Sequence, residues 1–379
     1  MNDAQQQKNA ALIRSRFNDY MLSEKVALAR LGLAPKKLAF ETSRELLDIE
    51  ANALEQKQKQ KATASEFKDY INEYFHDALF EYLDERTENV DYLLTEILTI
   101  DPVIPKLFDA CAAKASSAST FEKLITELPF LTRDVLNLVN NPPFREPNSK
   151  KAHVDNVGLA VRYVGVDNMK FALLTYIAKN WLPHSTEPYT DFKTRYWQYA
   201  LATANCAREL SKHYKVSEHV AFMFGMLQGI GMSLTLRMYL RAFDTVRVQQ
   251  MKKVVKAGRK DIEKVLDSLT IDDNFVSDAL NKYALKVTQV IFDNVELKYA
   301  VVAPAAQELA NDTPFAEAMP LTQLTQQAKA FVQYKMLQKS RLIELDEAKL
   351  FLTNASINNK VIALLNQVNL KKLNLTPTD

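Results

Sequence analysis

Apolar residues recur at steps of three and four along most of the chain, the spacing that places them on one face of a helix. The clearest case is a stripe of aromatic and aliphatic residues between positions 67 and 83. A stripe of this kind is more often a core face than a partner-binding face, so we predict a core helix here. Its members are Phe67, Tyr70, Ile71, Tyr74, Phe75, Ala78, Leu79, Tyr82 and Leu83.

Two helices are predicted before this stripe. The first covers about 12–31 and ends at Gly32. The second covers about 38–60, and its polar tail EQKQKQKATAS is either a frayed helix end or a short linker. Ser65 has the side chain and the position to cap the helix that carries the stripe.

After residue 90 the predicted helices become shorter and end more sharply, because prolines disfavour helix in the residue before them. Ser119 and Glu122 have the spacing of a capping box, which predicts that a helix begins there. Pro129 opens the next helix, and the Asn-Asn-Pro-Pro sequence at 140–143 ends it.

The rest of the pattern is helical to about residue 370. Two long helices are predicted over 192–214 and 218–243. Gly229 and Gly231 make a flexible spot inside the second, at a cost of about 1 kcal/mol each relative to alanine. The other predicted features are helices over 155–164 and 168–181, and breaks at Gly258, Asp272-Asp273, Pro304 and 314–320.

Composition supports an all-α fold. Only seven glycines occur in 379 residues, too few for many tight turns between strands. The commonest residues, such as Leu, Ala, Lys, Glu and Gln, are strong helix formers. The length exceeds that of a single small core, so we predict a main domain over 91–303 with helical extensions over 1–90 and 304–379.

Net charge excludes a strong whole-molecule attraction to nucleic acid or anionic lipid, since 48 basic residues nearly balance 46 acidic ones. A local basic run raises the hypothesis of a nucleic-acid-binding face. A solvated helix face is favoured over it, because Asp261 and Glu263 are interspersed. The run consists of Lys252, Lys253, Lys256, Arg259 and Lys260, with apolar residues that include Val255 expected on the opposite face.

Cys111 and Cys206 lie in apolar helical contexts and are too few and too scattered for a disulfide framework, so reduced, buried thiols are expected. The N-terminal segment has no apolar core of signal-peptide length, and no uninterrupted apolar run of about 18 residues occurs. We therefore expect a cytoplasmic protein without a membrane partner.

Familiar catalytic motifs do not occur. There is no Walker A loop, no dinucleotide-binding glycine motif, no His-Glu-x-x-His and no Gly-x-Ser-x-Gly. His213 and His219 are near each other in sequence, but a zinc site would need further ligands, so solvated histidines at helix ends are expected instead. The other histidines are His76, His153 and His184.

Three ordered segments carry a family resemblance. The first segment has the opening prolines, two helices and a Leu-x-x-Leu-x-Asn-like exit into a loop. The second segment has an apolar helix, a turn at Val164-Gly165 and another helix. The third segment has two paired central helices. Together they resemble the HDOD family, a branch of the HD phosphohydrolase superfamily, between about 93 and 239. The segments are 100–144, 157–174 (VGLAVRYVGVDNMKFALL) and 196–234.

The resemblance also implies that metal ligands are missing. Active HD enzymes carry a first His, an adjacent His-Asp pair and a later Asp, which bind one or two metal ions. In this chain Tyr199 stands at the first His position, and Gln228-Gly229 stands at the pair. A phenol, a carboxamide and a glycine are poor ligands for a divalent cation, so no metal or other cofactor is expected. The last Asp stays open among Asp272, Asp273, Asp278 and Asp293.

The resemblance therefore implies a non-catalytic bacterial signalling or regulatory protein, whose HDOD domain binds a partner protein or a small effector. The alternative is a metal-dependent phosphohydrolase whose ligands lie elsewhere. Tyr199, Gln228 and Gly229 are expected to lie together, either as a packed core that fills the former metal position or as a residual pocket. The partner, the ligand and the oligomeric state are not specified by the sequence.

Overall fold

The computed structural model describes residues 3–33, 48–141, 153–373 and 375. Within these residues the protein is all-α, as predicted, with no strand. A short π-helical segment, Tyr92–Leu98, lies between α3 and α4. The helices are α1 (Asp3–Leu22), α2 (Glu24–Arg30), α3 (Asp48–Glu88), α4 (Val103–Ala112), α5 (Ala118–Thr126), α6 (Pro129–Asn140), α7 (Val157–Val164), α8 (Val166–Asn180), α9 (Phe192–Tyr214), α10 (Glu218–Leu227), α11 (Ile230–Lys256), α12 (Lys260–Asp267), α13 (Asp273–Asn294), α14 (Ala303–Ala310), α15 (Pro320–Lys339), α16 (Leu345–Asn354) and α17 (Asn359–Leu365).

Five helices form the centre of the molecule. Helix α9 packs against α10 and α15, and α11 packs against α13. Helix α9 ends where Lys215 adopts a left-handed conformation with φ of 54°, which turns the chain back into α10. These contacts place side chains from α9, the α10–α11 junction, α13 and α15 around one buried position.

The apolar core is continuous from the N-terminal to the C-terminal helices. It joins Phe17 of α1 and Phe75 of α3 to Tyr199 of α9 and Phe331 of α15. The helices before residue 91 and after residue 303 thus share one core with the central ones, which burial of apolar surface holds together. The predicted boundaries at 90/91 and 303/304 stay predictions.

Helix α3 corrects two expectations about the N-terminal region. It continues through the polar tail and the whole stripe, so Ser65 lies inside the helix and does not cap it. The reason is that Gln, Lys, Glu and Ala dominate this stretch, and all are strong helix formers. The part of the predicted second helix before residue 48 lies outside the described residues.

The stripe of α3 is only partly a core face. Ile71, Phe75 and Leu79 are buried, as predicted, whereas Tyr70 and Tyr74 are 64% and 50% exposed. Residues three and four positions apart lie on only approximately the same face of a helix. A stripe of this width is therefore broader than the face of α3 that contacts the core, and its edge is exposed.

The start of α5 is two residues earlier than the predicted capping box. Ser117, and not Ser119, is the N-cap, and its hydroxyl accepts a hydrogen bond of 3.1 Å from the backbone N–H of Thr120. Pro129 occupies the first turn of α6, as predicted.

The predicted helix over 218–243 is in fact two helices. Helix α10 ends at Leu227, Gln228 and Gly229 form the junction, and α11 continues beyond the predicted end to Lys256. In the described residues one stretch, Glu218–Lys256, is long and apolar enough to cross a membrane, but 94% of its most apolar window is buried inside the protein. That burial is typical of a core helix.

Candidate functional site at the junction of helices α10 and α11

The structure brings the predicted site residues together. Tyr199 lies in the middle of α9, and Gln228 follows the last residue of α10, which packs against α9. The carboxamide Nε2 of Gln228 donates a hydrogen bond of 3.0 Å to the Tyr199 hydroxyl. Each residue is 1% exposed. The predicted proximity of these two residues is therefore confirmed.

The tyrosine ring packs closely on its surroundings. Its centroid lies 4.9 Å from that of the Phe17 ring. A Cβ atom placed on Gly229 would lie 3.1 Å from Cε1 of Tyr199, so the ring covers this glycine tightly. Burial raises the pKa of Tyr199 above its ordinary value. The phenol is neutral, and a neutral phenol is a weak ligand for a divalent cation.

Gly231 is required by helix packing. A Cβ atom at this position would overlap the carbonyl oxygen of Ala284 on α13. The backbone N–H of Gly231 donates a hydrogen bond of 3.0 Å to Oγ1 of Thr288. Close approach of α11 to α13 thus explains this glycine.

A small cavity of about 30 Å³ remains beside the tyrosine and the glutamine. On the scale of about 10–15 Å³ for each water molecule, this is room for two or three. Besides Tyr199, Gln228 and Gly229, its lining includes the polar side chains of Arg14, Asn18, Lys329 and Gln333. The tyrosine ring is packed in the core, as the filled-core interpretation predicts. A cavity also adjoins the ring, as the residual-pocket interpretation predicts.

Lys329 and Gln333 are the residues that sequence reasoning missed. Both lie on α15, one turn apart, and both line the cavity. Gln333 is 4% exposed and Lys329 is half-buried. The sequence shows only a lysine between alanines on an apolar helix face, in AKAF. The same pattern occurs when a surface lysine lays its aliphatic stem over apolar residues, so it does not indicate a binding site.

The four aspartates left open for the last ligand have local partners. Asp272 caps α13, and Asp273 accepts a hydrogen bond of 2.8 Å from the Tyr189 hydroxyl. Asp278 lies 3.7 Å from Arg30, and Asp293 accepts from Gln289. Among the described residues, no three His, Cys, Asp or Glu side chains form a cluster that could hold a metal ion.

The histidines differ from expectation at one position. His213 is exposed, as expected for a helix end, but His219 is half-buried and its ring stacks on Phe171 with centroids 4.5 Å apart. Burial lowers the pKa of His219 below its ordinary value. His219 is in a packing position because α10 begins against α8.

His76 is fully buried at a second polar position, between α3, α11 and α13. Its Nδ1–H donates a hydrogen bond of 2.7 Å to the backbone carbonyl of Asn72. Its Nε2 accepts a hydrogen bond of 2.9 Å from the Tyr239 hydroxyl. The ring stacks on Phe275 with centroids 3.6 Å apart. Burial lowers the pKa of His76, and the bond to Asn72 partly offsets this.

The basic run is exposed and is divided between two helices. Lys252, Lys253 and Lys256 end α11, a turn follows at Gly258, and Lys260 begins α12. Arg259 forms a bidentate ion pair with Asp261 at 2.9 and 3.2 Å. Val255, expected on the apolar face, is 55% exposed because the helix protrudes at this end.

Both cysteines are buried free thiols, as predicted. Burial raises the pKa of Cys111 to about 12, and it also raises the pKa of Cys206. Neither thiol is ionised at neutral pH, so neither has the character of a reactive nucleophile.

The comparison with protein-family models agrees with the family resemblance. The HDOD domain family matches residues 97–271, which begins four residues after the predicted start and continues 32 residues past the predicted end at 239. A crystal structure described as "Putative phosphohydrolase from Shewanella amazonensis SB2B" is 18% identical, with 76% of this chain and 97% of that chain covered and a TM-score of 0.30. No curated protein sequence matches. Residues 97–271 of this chain therefore form an HDOD domain.

Proposed function

We propose that this chain is a non-catalytic signal-transduction or regulatory protein of the bacterial cytoplasm, in which the HDOD domain is a platform that binds a protein partner or a small effector. One observation supports the proposal most strongly. Tyr199 and Gln228, which stand at the expected metal-ligand positions, form a hydrogen bond of 3.0 Å with each other in the core.

The chemistry of these groups supports the absence of catalysis. A metal-dependent phosphohydrolase needs imidazole and carboxylate ligands that hold a cation and activate a water molecule. Here a neutral phenol accepts a hydrogen bond from a carboxamide, and Gly229 lies under the phenol ring. A cation at this position would have to break that bond and would gain no negative charge in return.

Metal analysis of the purified full-length chain tests the proposal. We expect iron, manganese, zinc and magnesium each at well below one equivalent per chain. We also expect no hydrolysis of phosphomonoesters or phosphodiesters when these metals are added. One equivalent of metal, with turnover that is lost on Gln228→Leu or on substitution of a nearby Asp, would refute it.

A further inference from the structure

We propose that the cavity beside Tyr199 and Gln228 binds one small oxyanion of the size and charge of phosphate, held by the Lys329 ammonium, the Gln333 carboxamide and the Tyr199 hydroxyl. The inference rests on the proposed function, because it names the chemical class of effector for the same position. The proposed ligand is an anion, whereas an HD-type metal centre binds cations.

The first support is the charge around the cavity. Its described lining includes two cationic side chains, Lys329 and Arg14, and no carboxylate. Arg14 donates hydrogen bonds to the Asp312 carboxylate from both terminal guanidinium nitrogens, at 2.9 and 2.5 Å. Lys329 forms no hydrogen bond or ion pair with the described residues. A half-buried ammonium without a partner is costly, and an anion beside it would remove that cost.

The second support is a set of unused hydrogen-bond donors. Gln333 is 96% buried, since its exposed fraction is 4%, and its carboxamide has no hydrogen-bond partner among the described residues. The Tyr199 oxygen accepts from Gln228, which leaves the phenolic proton for another acceptor. Together with the Lys329 ammonium, these groups offer the cavity three donors that an anionic acceptor could use.

The third support is size and access. A cavity of about 30 Å³ holds two or three water molecules, which is the scale of one small oxyanion and is too small for a nucleotide. Asn281 also lines the cavity and is exposed, and Arg14 is 32% exposed, so the cavity has a route to solvent on that side.

The titration of Lys329 agrees with this role. The pKa of Lys329 is lowered to about 8, mainly by burial and also by the charge of Arg14, while Asp312 partly offsets this. These two groups and Tyr199, which stays neutral in this range, are the titratable groups around it. The ammonium is mostly charged at pH 7 and mostly neutral at pH 9.5, so anion affinity should fall between these values.

The test is calorimetric titration of metal-free, full-length protein with sodium phosphate at pH 7, with sodium chloride at equal ionic strength as the reference. We expect saturable binding of one phosphate per chain and no saturable binding of chloride. Lys329→Met should raise the dissociation constant for phosphate by about tenfold or more, the effect of removing one hydrogen bond to a charged group. The matched change Lys339→Met, on an exposed position of the same helix, should leave it unchanged.

Gln333→Met is a second variant, which should weaken phosphate binding several-fold while it keeps both lysines. Equal responses to phosphate and chloride, or wild-type affinity in both Lys329→Met and Gln333→Met, would overturn the inference. If the protein is also metal-free and has no hydrolase activity, either of these results leaves the proposed non-catalytic function unaffected. Phosphate binding that requires a divalent metal, accompanied by hydrolysis, would instead refute the proposed function itself.

Discussion

Two buried polar positions of this protein, one around His76 and the other around Tyr199, differ in how completely their groups are satisfied. Both nitrogens of His76 have partners, and an aromatic ring covers its face at 3.6 Å. At Tyr199 the hydrogen bond to Gln228 is made, but a cavity remains and Lys329 and Gln333 have unused donors. A closed network stabilises a fold, whereas unused donors around a cavity provide capacity for a ligand.

The same helices serve both positions. Tyr239 lies ten residues after Gly229, which is about 15 Å along a helix. Helix α13 supplies Phe275 to the first position and Thr288 to the second. The contrast therefore arises from the side chains of α3 and α15, which complete the two positions, and not from a different framework.

The largest expected effect tests that shared framework. Gly231→Ala places a methyl group on the carbonyl oxygen of Ala284, so α11 and α13 must move apart. We expect the free energy of unfolding to fall by about 3 kcal/mol, measured by urea denaturation. Gly229→Ala is the control, and it should cost about 1 kcal/mol or less, because its nearest new neighbour is a ring atom at 3.1 Å. Equal costs would show that the crossing is not tightly packed.

The next effect tests the closed network. His76→Ala removes the ring from between its neighbours and leaves the Tyr239 hydroxyl without its acceptor. We expect a loss of about 3 kcal/mol in the free energy of unfolding, from the cavity and the unpaired hydroxyl together. His213→Ala, at an exposed position, should change it by less than about 0.5 kcal/mol. A small effect of His76→Ala would contradict the structural role.

The pH dependence of stability sharpens the same point. The pKa of His76 is lowered in the folded state because of burial, so the unfolded chain takes up this proton first as pH falls. The contribution of His76 to stability is complete above about pH 6.5 and declines below it. The difference in urea midpoint between the wild type and His76→Gln should therefore shrink from pH 7.5 to pH 5.5. A difference that is constant with pH would argue that His76 does not titrate in this way.

The smallest expected effect concerns the open position. Tyr199→Phe keeps the ring and removes the hydroxyl, which leaves Nε2 of Gln228 without its acceptor. The cost should be about 1–2 kcal/mol of unfolding free energy, reduced if water in the cavity takes the place of the hydroxyl. Thermal unfolding measures it, with Tyr70→Phe at a 64% exposed position as the control. A loss as large as that of His76→Ala would remove the distinction between the two positions.

Much of the fold could be predicted because its signals are local. The limits of α9 were predicted correctly, since apolar periodicity and the residues at its ends agree. Errors arose where local signals compete. Ser117 and Ser119 both have hydroxyls suited to capping, and only the backbone path selects Ser117. At Gln228-Gly229 the apolar pattern continues, and the glycines predict a flexible spot within one helix, not the interruption that the structure has.

The candidate site could be predicted only in part. The family resemblance placed Tyr199 and Gln228 at corresponding positions, and their contact follows from the packing of α9 on α10. Lys329 could not be predicted, because it reaches the cavity through the packing of α15 on α9, 130 residues away along the chain. His76 was missed for the same reason, since its partners come from α11 and α13.

The central claim is that the former ligand positions no longer take a metal, and one measurement tests it most directly. Metal-free protein is titrated with manganese chloride at pH 7 in a calorimeter, for the wild type and for Gln228→Leu. The account predicts no saturable binding of Mn²⁺ to either protein near the Tyr199–Gln228 position. Binding of one Mn²⁺ per wild-type chain that is lost in Gln228→Leu would contradict it.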